Sequence, residues 1–188
     1  MKWFKSIGLR ARMLTAFGVV VACMGILGTM SFRALGDFNE RATEIATDWL
    51  PGAQVVGSMN ANAADFRIAE LQFASSTTDA ESKRNEADMA DALNKFERDR
   101  ATLEKLINTD EERKLIDAFN AEWNGYLAEH EKIVALARAG KHDEARALLR
   151  DRSESLFDEF SVLLDKLIEH NTTGATRATE QEHETYTV

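Results

Sequence analysis

The sequence predicts an all-α protein, an antiparallel up-down-up-down four-helix bundle preceded by one transmembrane helix. Apolar residues recur at spacings of three and four residues almost to the C-terminus, which is the period of a helix facing a core. Only one proline and ten glycines occur among 188 residues, so few positions interrupt helices. Polar segments divide the pattern into two long helices (first and fourth) and two short ones, and short connections make successive helices antiparallel.

The transmembrane helix is predicted at residues 13–32, an uncharged run of 20 residues. At about 1.5 Å per residue this run spans roughly 30 Å, the thickness of a bilayer core. Four basic residues and no acidic one precede it (Lys2, Lys5, Arg10 and Arg12). The positive-inside rule therefore places residues 1–12 in the cytoplasm and residues 33–188 on the opposite side, which is the periplasm if the membrane is a bacterial inner membrane.

The segment VVAC at residues 20–23 resembles a lipoprotein cleavage box, an alternative to a retained helix. The apolar run continues for nine residues beyond Cys23, where a lipoprotein turns polar. A retained transmembrane helix is therefore the favoured interpretation. As the single cysteine of the chain, Cys23 forms no intrachain disulfide.

Charge limits the class of partner. The chain has a net charge of −9, and without the four basic residues before the apolar run the remainder carries −13. Such a surface does not attract nucleic acid. An anionic ligand would have to be bound by local arginines.

The first helix of the bundle is predicted at residues 33–77, with Pro51 and Gly52 in its interior. A proline inside a helix removes one backbone hydrogen bond and clashes with the preceding turn, at a cost of about 3 kcal/mol. A break between two separate helices is the alternative. The apolar stripe keeps its phase across the pair, which favours a continuous, kinked helix. The stripe consists of Phe38, Ala42, Ile45, Trp49, Val56, Met59, Ala63, Phe66 and Phe73.

Capping signals delimit the other helices. Thr78 with Glu81, and Thr109 with Glu112, have the spacing of capping boxes at the starts of the second and third helices. Gly140 is the left-handed stop of the third helix. The fourth helix is predicted from near His142 to the C-terminus. The predicted core positions of these helices are Met89, Leu93, Phe96, Leu103, Leu106, Leu115, Phe119, Trp123, Tyr126, His130, Ile133, Val134, Ala137, Ala145, Leu149, Leu156, Phe160, Leu163 and Leu167.

The first and fourth helices exceed the other two by about 15 residues, on the order of 22 Å. This excess predicts a membrane-proximal stalk. Because the fourth helix returns toward the membrane, a second transmembrane helix is expected to follow residue 188, and the chain is interpreted as part of a longer receptor.

Arg67 lies close to the apolar stripe near the distal end of the first helix. One interpretation is a surface arginine paired with Glu70, worth a few tenths of a kcal/mol. The other is a carboxylate-binding residue, because guanidinium groups bind carboxylates with two parallel hydrogen bonds. At the same height the sequence offers further candidate ligand-binding residues: Gln72, Tyr126, His130, Arg146, Arg150, Arg152 and Ser153.

No residue pattern predicts catalysis, a metal or a cofactor. His130 lies on the core stripe, where a histidine is more often a packed residue than a ligand. The EQEH segment at residues 180–183 matches half of a di-iron motif, but no second Glu-x-x-His pair occurs. Phosphate-binding loops, nucleophile elbows and HExxH zinc motifs do not occur in the sequence.

Three segments resemble the sensor region of bacterial methyl-accepting chemotaxis proteins with a periplasmic four-helix-bundle ligand-binding domain. They are the N-terminal MKWFKSIGLRARMLTAFG, WLPGAQVVGSMNANAADFRIAE on the first helix, and ARAGKHDEARALL at the turn between the third and fourth helices. The resemblance implies a homodimer with a ligand site at the distal bundle. It also implies a displacement of the fourth helix, relayed to a chemotaxis kinase and its adaptor.

In relatives that sense aspartate or serine, three arginines of the first helix hold the ligand. Arg67 matches the first, whereas Gln72 and Ser76 occupy the other two positions. The resemblance therefore favours a small organic acid, either a di- or tricarboxylate or an aromatic carboxylate. Two alternatives remain: the sensor domain of a histidine kinase or diguanylate cyclase, and a partner-binding or structural bundle with no small ligand.

Overall fold

The computed structural model describes residues 9–186, with side chains over residue 10 and residues 13–179. The helices are α1 (Leu9–Glu44), α2 (Leu50–Ala74), α3 (Asp79–Leu103), α4 (Asp110–Arg138), α5 (His142–Arg150) and α6 (Arg152–Tyr186). A π-helical turn, Ile45–Trp49, joins α1 to α2, and the described part contains no strand. Helix α2 packs against α3 and α6, and α4 packs against α5 and α6. The predicted four-helix bundle with long first and fourth helices is confirmed.

The first helix runs without interruption from α1 through the π turn into α2, so a break at Pro51 is excluded. Pro51 lies in the first turn of α2, directly after the π turn, in which the Leu50 amide donates to the Ile45 carbonyl five residues earlier. Proline cannot donate to residue i−4 and its ring crowds that carbonyl. The wider turn accommodates this local misfit within a continuous helix.

Both predicted capping boxes are present. The Thr78 hydroxyl accepts from the Glu81 amide, and the Glu81 carboxylate accepts from the Thr78 amide. Thr109 and Glu112 make the same reciprocal pair at the start of α4. Gly140 has a φ of 74°, the left-handed conformation that ends α4.

The fourth helix is not continuous, contrary to the prediction. Helix α5 ends at Arg150, Asp151 has φ −112° and ψ −105°, and α6 begins at Arg152. Across this break the Asp151 amide donates to the Leu148 carbonyl, and the Ser155 amide donates to the Asp151 carbonyl. Asp151 and Glu154 have the spacing of a helix start, a local signal that lies within the predicted fourth helix.

The core follows the predicted stripes within the bundle and departs from them in the stalk. Val56, Met59, Ala63, Phe66 and Phe73 are buried, as predicted for α2. Phe38 remains 44% exposed because no α3 or α4 residue faces the stalk at its height, and Trp49 is half-buried.

On α6 the predicted core residue Leu163 is only half-buried, and its neighbour Leu164 is buried instead. The buried stripe of α6 runs through Leu156, Phe160, Leu164 and Leu167 at spacings of four and three. Leu163 fits between Phe160 and Leu167 equally well, so periodicity alone does not separate it from Leu164.

Two glycines allow the stalk helices to approach closely. A methyl group added at Gly174 of α6 would lie 2.4 Å from the Trp49 ring, and one at Gly52 of α2 would lie 2.1 Å from Asn171 Oδ1. Gly52, which follows Pro51 in the sequence, therefore allows the Asn171 side chain of α6 to pack against the α2 backbone. Both contacts lie between the first helix and α6, at the end of the bundle that follows α1.

We expect Gly174→Ala to lower the free energy of unfolding by about 1–3 kcal/mol, because the rigid indole must move to admit the methyl group. Chemical unfolding of the full chain in nanodiscs measures this loss. Gly36→Ala is the matched control, since its added methyl meets nothing within 4 Å. An equal effect of the two substitutions would contradict the close-contact interpretation.

A single helix within the described residues, over Met13–Ala74, is long and apolar enough to cross a membrane. Its apolar window lies near the N-terminus and is not buried within the protein. Residues 1–8, which include Lys2 and Lys5, lie outside the described residues.

Candidate functional site

Glu70 is the centre of a buried polar network between α2, α4 and the α5–α6 break. Its side chain has no exposed surface. Glu70 Oε2 accepts from Arg67 Nη1 at 3.1 Å and from the Tyr126 hydroxyl at 2.7 Å. Glu70 Oε1 lies 2.8 Å from His130 Nδ1. We call Arg67, Glu70, Tyr126, His130 and Ser153 the Glu70 network.

Arg67 joins the two sides of the break between α5 and α6. Its Nη2 donates to the Leu149 carbonyl at 2.6 Å, and its Nη1 donates to Ser153 Oγ at 2.6 Å. Because α5 ends at Arg150, Leu149 lacks the helical amide partner that Ser153 would supply in a continuous helix. The guanidinium of the first helix therefore satisfies a carbonyl that the break leaves free.

Aromatic rings surround the charged groups of the Glu70 network. The Arg67 guanidinium lies 5.9 Å from the Tyr126 ring centroid and 5.7 Å from that of Phe157, within cation–π range. The His130 and Phe66 ring centroids are 4.8 Å apart. These rings limit water access, so the ion pair between Arg67 and Glu70 is stronger than a surface pair.

Tyr126 acts as a hydrogen-bond donor in this network. Burial raises the pKa of the Tyr126 phenol far above its ordinary value, and the nearby negative charge of Glu70 raises this pKa further. The hydroxyl therefore keeps its proton throughout the physiological pH range. It remains a fixed donor to Glu70 Oε2.

Arg67 carries more donors than its hydrogen bonds to Glu70, Ser153 and Leu149 use. A guanidinium carries five N–H groups. Three hydrogen bonds are formed, to Glu70, Ser153 and Leu149, two from Nη1 and one from Nη2. The Nε–H and the second Nη2–H lie beyond these three hydrogen bonds, and the guanidinium also acts on the Tyr126 hydroxyl as a hydrogen-bond donor. The Arg67 side chain is 11% exposed, so it borders solvent. These two donors suit a carboxylate.

The structure brings four of the predicted site residues together, namely Arg67, Tyr126, His130 and Ser153. The remaining four do not join them in the described contacts. Arg150 and Arg152 are exposed at the break, and Arg146 pairs with Asp143 on α5. Gln72 is exposed on another face of α2, where it borders a cleft of about 380 Å³ with Ser75, Ser76 and Arg84.

Sequence reasoning treated Glu70 only as a surface partner of Arg67. The pair does form, but it is buried rather than at the surface. The available signal was the spacing of Tyr126 and His130, which are four residues apart on the α4 core stripe. Two hydrogen-bonding side chains on one buried helix face require a polar partner on a facing helix.

The described cavities lie away from the Glu70 network. A groove of about 600 Å³ lies at the stalk, lined by Trp49, His170, Arg41, Lys166 and Arg177, among others. It contains none of the predicted site residues. Among the described residues, no group of three or more His, Cys, Asp or Glu side chains is arranged to hold a metal ion. The side chains of residues 180–183, the EQEH segment, lie outside the described residues.

A helical bundle that follows a candidate membrane span, and that buries a charged network between its helices, has the architecture of a membrane receptor module. The family model described as a four helix bundle sensory module for signal transduction matches residues 7–186. The chain belongs to this family. The family is a sensory module of the kind found in methyl-accepting chemotaxis proteins.

A sensory transducer protein of Bacillus subtilis (strain 168), YvaQ, is similar to this chain. The two are 24% identical over 161 residues, which is 86% of this chain and 28% of YvaQ. The chain thus spans less than a third of that relative's length. The resemblance to chemotaxis receptors that the sequence predicts is confirmed at the level of the sensory module.

Proposed function

We propose that this chain is the sensor region of a chemoreceptor and that it binds a small organic acid in the periplasm. The ligand carboxylate binds the Nε–H and the second Nη2–H of Arg67, while the three existing hydrogen bonds hold the guanidinium in place. The ligand is a di- or tricarboxylate or an aromatic carboxylate, as the resemblance implies.

The observation that carries this proposal is the pair of Arg67 donors beyond these three hydrogen bonds, beside a network that fixes the guanidinium orientation. A bidentate carboxylate contact requires an arginine whose planar group is already oriented. A bundle needs no buried ion pair for stability, since apolar residues of similar volume serve as well or better. Burying Arg67 and Glu70 is therefore not explained by stability, which supports a functional role for this ion pair.

The position of Arg67 also connects the ligand to the signalling helix. Arg67 belongs to the first helix but bonds to both sides of the α5–α6 break. A ligand that accepts hydrogen bonds from the guanidinium changes the hydrogen bonds of Arg67 to Leu149 and Ser153. We infer a displacement of α6 along the first helix, since helix shifts of about 1–2 Å are an established mode of transmission. The displacement controls a chemotaxis kinase and its adaptor in the full protein.

An exposed stripe on α2 supports a homodimer. Residues spaced alternately by four and three form it, and all are exposed or half-buried: Leu50, Gln54, Gly57, Ala61, Ala64, Ile68, Leu71 and Ser75. Leu50 and Ile68 are each 52% exposed and Leu71 is 43% exposed, which is unfavourable for an isolated bundle. Small residues at the centre allow a second helix to approach closely. The stripe fits pairing of α2 with α2 of a second copy.

A thermal-shift experiment tests the proposed ligand class. The full chain in nanodiscs is heated with succinate, citrate or benzoate, and unfolding is followed by tryptophan fluorescence. A ligand at 100 times its dissociation constant stabilises the folded state by about 2.7 kcal/mol. We expect at least one acid to raise the melting temperature. If none does, the organic-acid function is wrong and a bundle that binds a protein partner becomes the better interpretation.

Arg67→Lys tests the assignment of the site. Lysine keeps the charge but loses the fork of donors, so we expect the acid-dependent shift to disappear. Arg150→Lys is the matched control, because Arg150 is an exposed arginine at the end of α5 that makes no described contact with the Glu70 network. A shift that survives Arg67→Lys would place the acid elsewhere.

A further inference from the structure

The groove of about 600 Å³ beside the stalk has the size of a small-molecule site. Its described lining comes from the first helix, the start of α4 and α6. The groove arises because α3 ends at Leu103 and α4 begins at Asp110, whereas the first helix and α6 continue beyond this level. We call it the stalk groove.

Two close contacts fix the height of α6 against the first helix. Asn171 meets Gly52 and, three residues further along α6, Gly174 meets Trp49. The two helices are therefore antiparallel, and each step along α6 leads toward α1. Arg177 follows Gly174 by three residues, so it lies about one helical turn closer to α1 than Trp49. The stalk groove thus has an end toward α1 and an end toward the bundle.

The charged side chains of the stalk groove differ between its two ends. The charged lining residues toward α1 are Arg41, Glu44 and Arg177. Those toward the bundle are Glu111, Lys166 and Glu169. Two cations and one acid give the α1 end a formal charge of about +1, and two acids and one cation give the bundle end about −1. The groove is therefore dipolar along its length.

Two aromatic rings lie between these ends. The ring centroids of Trp49 and His170 are 5.7 Å apart, with the planes tilted by 55°. The Trp49 indole N–H donates to Glu44 Oε1 at 3.1 Å, which fixes the orientation of the indole. Trp49 is only half-buried and lines the groove, so part of its surface remains open to a ligand. Such a surface suits a second ring.

Arg177 is available to a ligand carboxylate. Its side chain is exposed and has no ion-pair or hydrogen-bond partner among the described residues. A guanidinium binds a carboxylate with two parallel hydrogen bonds. A ligand with negative charge alone would also face Glu111 and Glu169, and a ligand with positive charge alone would face Arg177. The groove therefore favours a molecule that carries both charges.

A lipid headgroup does not fit the height of the stalk groove. Arg177 is level with a point about 14 residues beyond the apolar run at 13–32, which corresponds to roughly 21 Å. The headgroup region extends only about 5–8 Å beyond the hydrocarbon core. With the apolar run in the bilayer, a ligand of the groove comes from the aqueous phase.

We propose that the stalk groove binds an aromatic zwitterion, a ring that carries a carboxylate and an ammonium group. The carboxylate binds Arg177, the ring packs beside Trp49 and His170, and the ammonium group lies near Glu111. Such a ligand contacts the first helix and α6 together, so it restrains one against the other at the stalk. The site lies apart from Arg67 and does not rest on the proposed organic-acid function.

Calorimetric titration of the full chain in nanodiscs tests the proposal with three zwitterions, phenylalanine, tryptophan and 4-(aminomethyl)benzoate. Benzylamine lacks the carboxylate and 6-aminohexanoate lacks the ring. We expect at least one zwitterion to bind about tenfold more tightly than either analogue, the factor that one charge-assisted contact typically provides. Absence of binding by all three zwitterions would overturn the proposal. Equal binding of a zwitterion and both analogues would contradict the ligand class.

Arg177→Gln is the diagnostic variant, because it removes the charge that holds the carboxylate. We expect the affinity for the zwitterion to fall about tenfold. Arg150→Gln is the matched control, since Arg150 is also an exposed arginine but lies at the end of α5. Undiminished binding by Arg177→Gln would overturn the assignment to the stalk groove.

Arg67→Lys separates this site from the proposed function. We expect the variant to bind the zwitterion as the unmodified chain does, while the acid-dependent thermal shift disappears. Loss of zwitterion binding in Arg67→Lys would overturn the stalk site and assign the ligand to the Glu70 network. Failure of the organic acids to bind, with zwitterion binding retained, would refute the proposed function alone.

Discussion

Arg67→Met is expected to lower the free energy of unfolding by about 3–5 kcal/mol, because it leaves Glu70 charged and buried without its cation. The substitution also removes the partners of the Leu149 carbonyl and Ser153. Urea unfolding of the full chain in nanodiscs, followed by Trp123 fluorescence, measures the loss. If Arg67 were a surface residue paired with Glu70, the same substitution would lower the free energy of unfolding by only a few tenths of a kcal/mol.

The double variant Arg67→Met with Glu70→Leu separates charge from packing. Removing both charges eliminates the uncompensated carboxylate, so we expect recovery of at least half of the loss. The Tyr126 hydroxyl then lacks its acceptor, which prevents full recovery. Lys132→Met is the matched control, because it breaks a pair with Glu129 at the same spacing of three residues whose cation is 61% exposed. Equal losses in Arg67→Met and Lys132→Met would contradict the buried network.

Trp123→Ala is expected to have an effect of similar size, about 3–5 kcal/mol. Trp123 is fully buried at the centre of the aromatic core. Its ring centroid lies 4.2 Å from Phe96 in a stacked pair and 5.2 Å from Phe160 at nearly right angles. Truncation leaves a cavity between α3, α4 and α6 that these rings cannot close. Thermal unfolding followed by circular dichroism measures the loss.

Trp49→Ala is the control for Trp123→Ala, because it removes the same side chain from a half-buried position at the stalk. We expect a distinctly smaller loss, since part of that ring is already in water. If Trp49→Ala destabilises the chain as much as Trp123→Ala, the stalk rather than the aromatic core is the main source of stability.

The bundle could be predicted from sequence because its signals are local. The Thr78 and Thr109 capping boxes, the Gly140 stop and the spacing of three and four each act within one or two helical turns. The stripe could not predict the depth of burial in the stalk, where Phe38 has the right phase but no facing helix. Burial depends on neighbours that periodicity does not reveal.

The α5–α6 break and the Glu70 network are joined through Arg67, and the sequence predicts four of the network residues but neither the break nor the central place of Glu70. The break frees the Leu149 carbonyl, and Arg67, 82 residues earlier, satisfies it. A periodic pattern indicates which face of a helix is apolar. It does not indicate whether a side chain from a distant part of the sequence stabilises a break in the helix. Arg67, Tyr126, His130 and Ser153 were placed at one height by counting residues, but Glu70 becomes their centre only when α2 and α4 are packed together.

The fourth-helix arginines lie apart from the Glu70 network, and their role in ligand binding stays a prediction. Arg146, Arg150 and Arg152 form a local surplus of positive charge in the sequence, and the surplus suggested a cluster around the ligand. In the structure Arg150 and Arg152 face solvent, and Arg146 pairs with Asp143. The net charge of a segment does not show which of its arginines face the core and which face solvent. That distinction requires the burial of each residue.

Amide hydrogen exchange with and without a saturating acid is the most direct test of the central claim, that an acid at Arg67 acts on the α5–α6 break. The measurement uses the full chain in nanodiscs and the acid that gives the largest thermal shift. We predict slower exchange over residues 149–156, because the bound acid fixes the guanidinium that bridges Leu149 and Ser153, with no change at residues 104–108. Unchanged exchange over residues 149–156, with the thermal shift retained, would contradict the account.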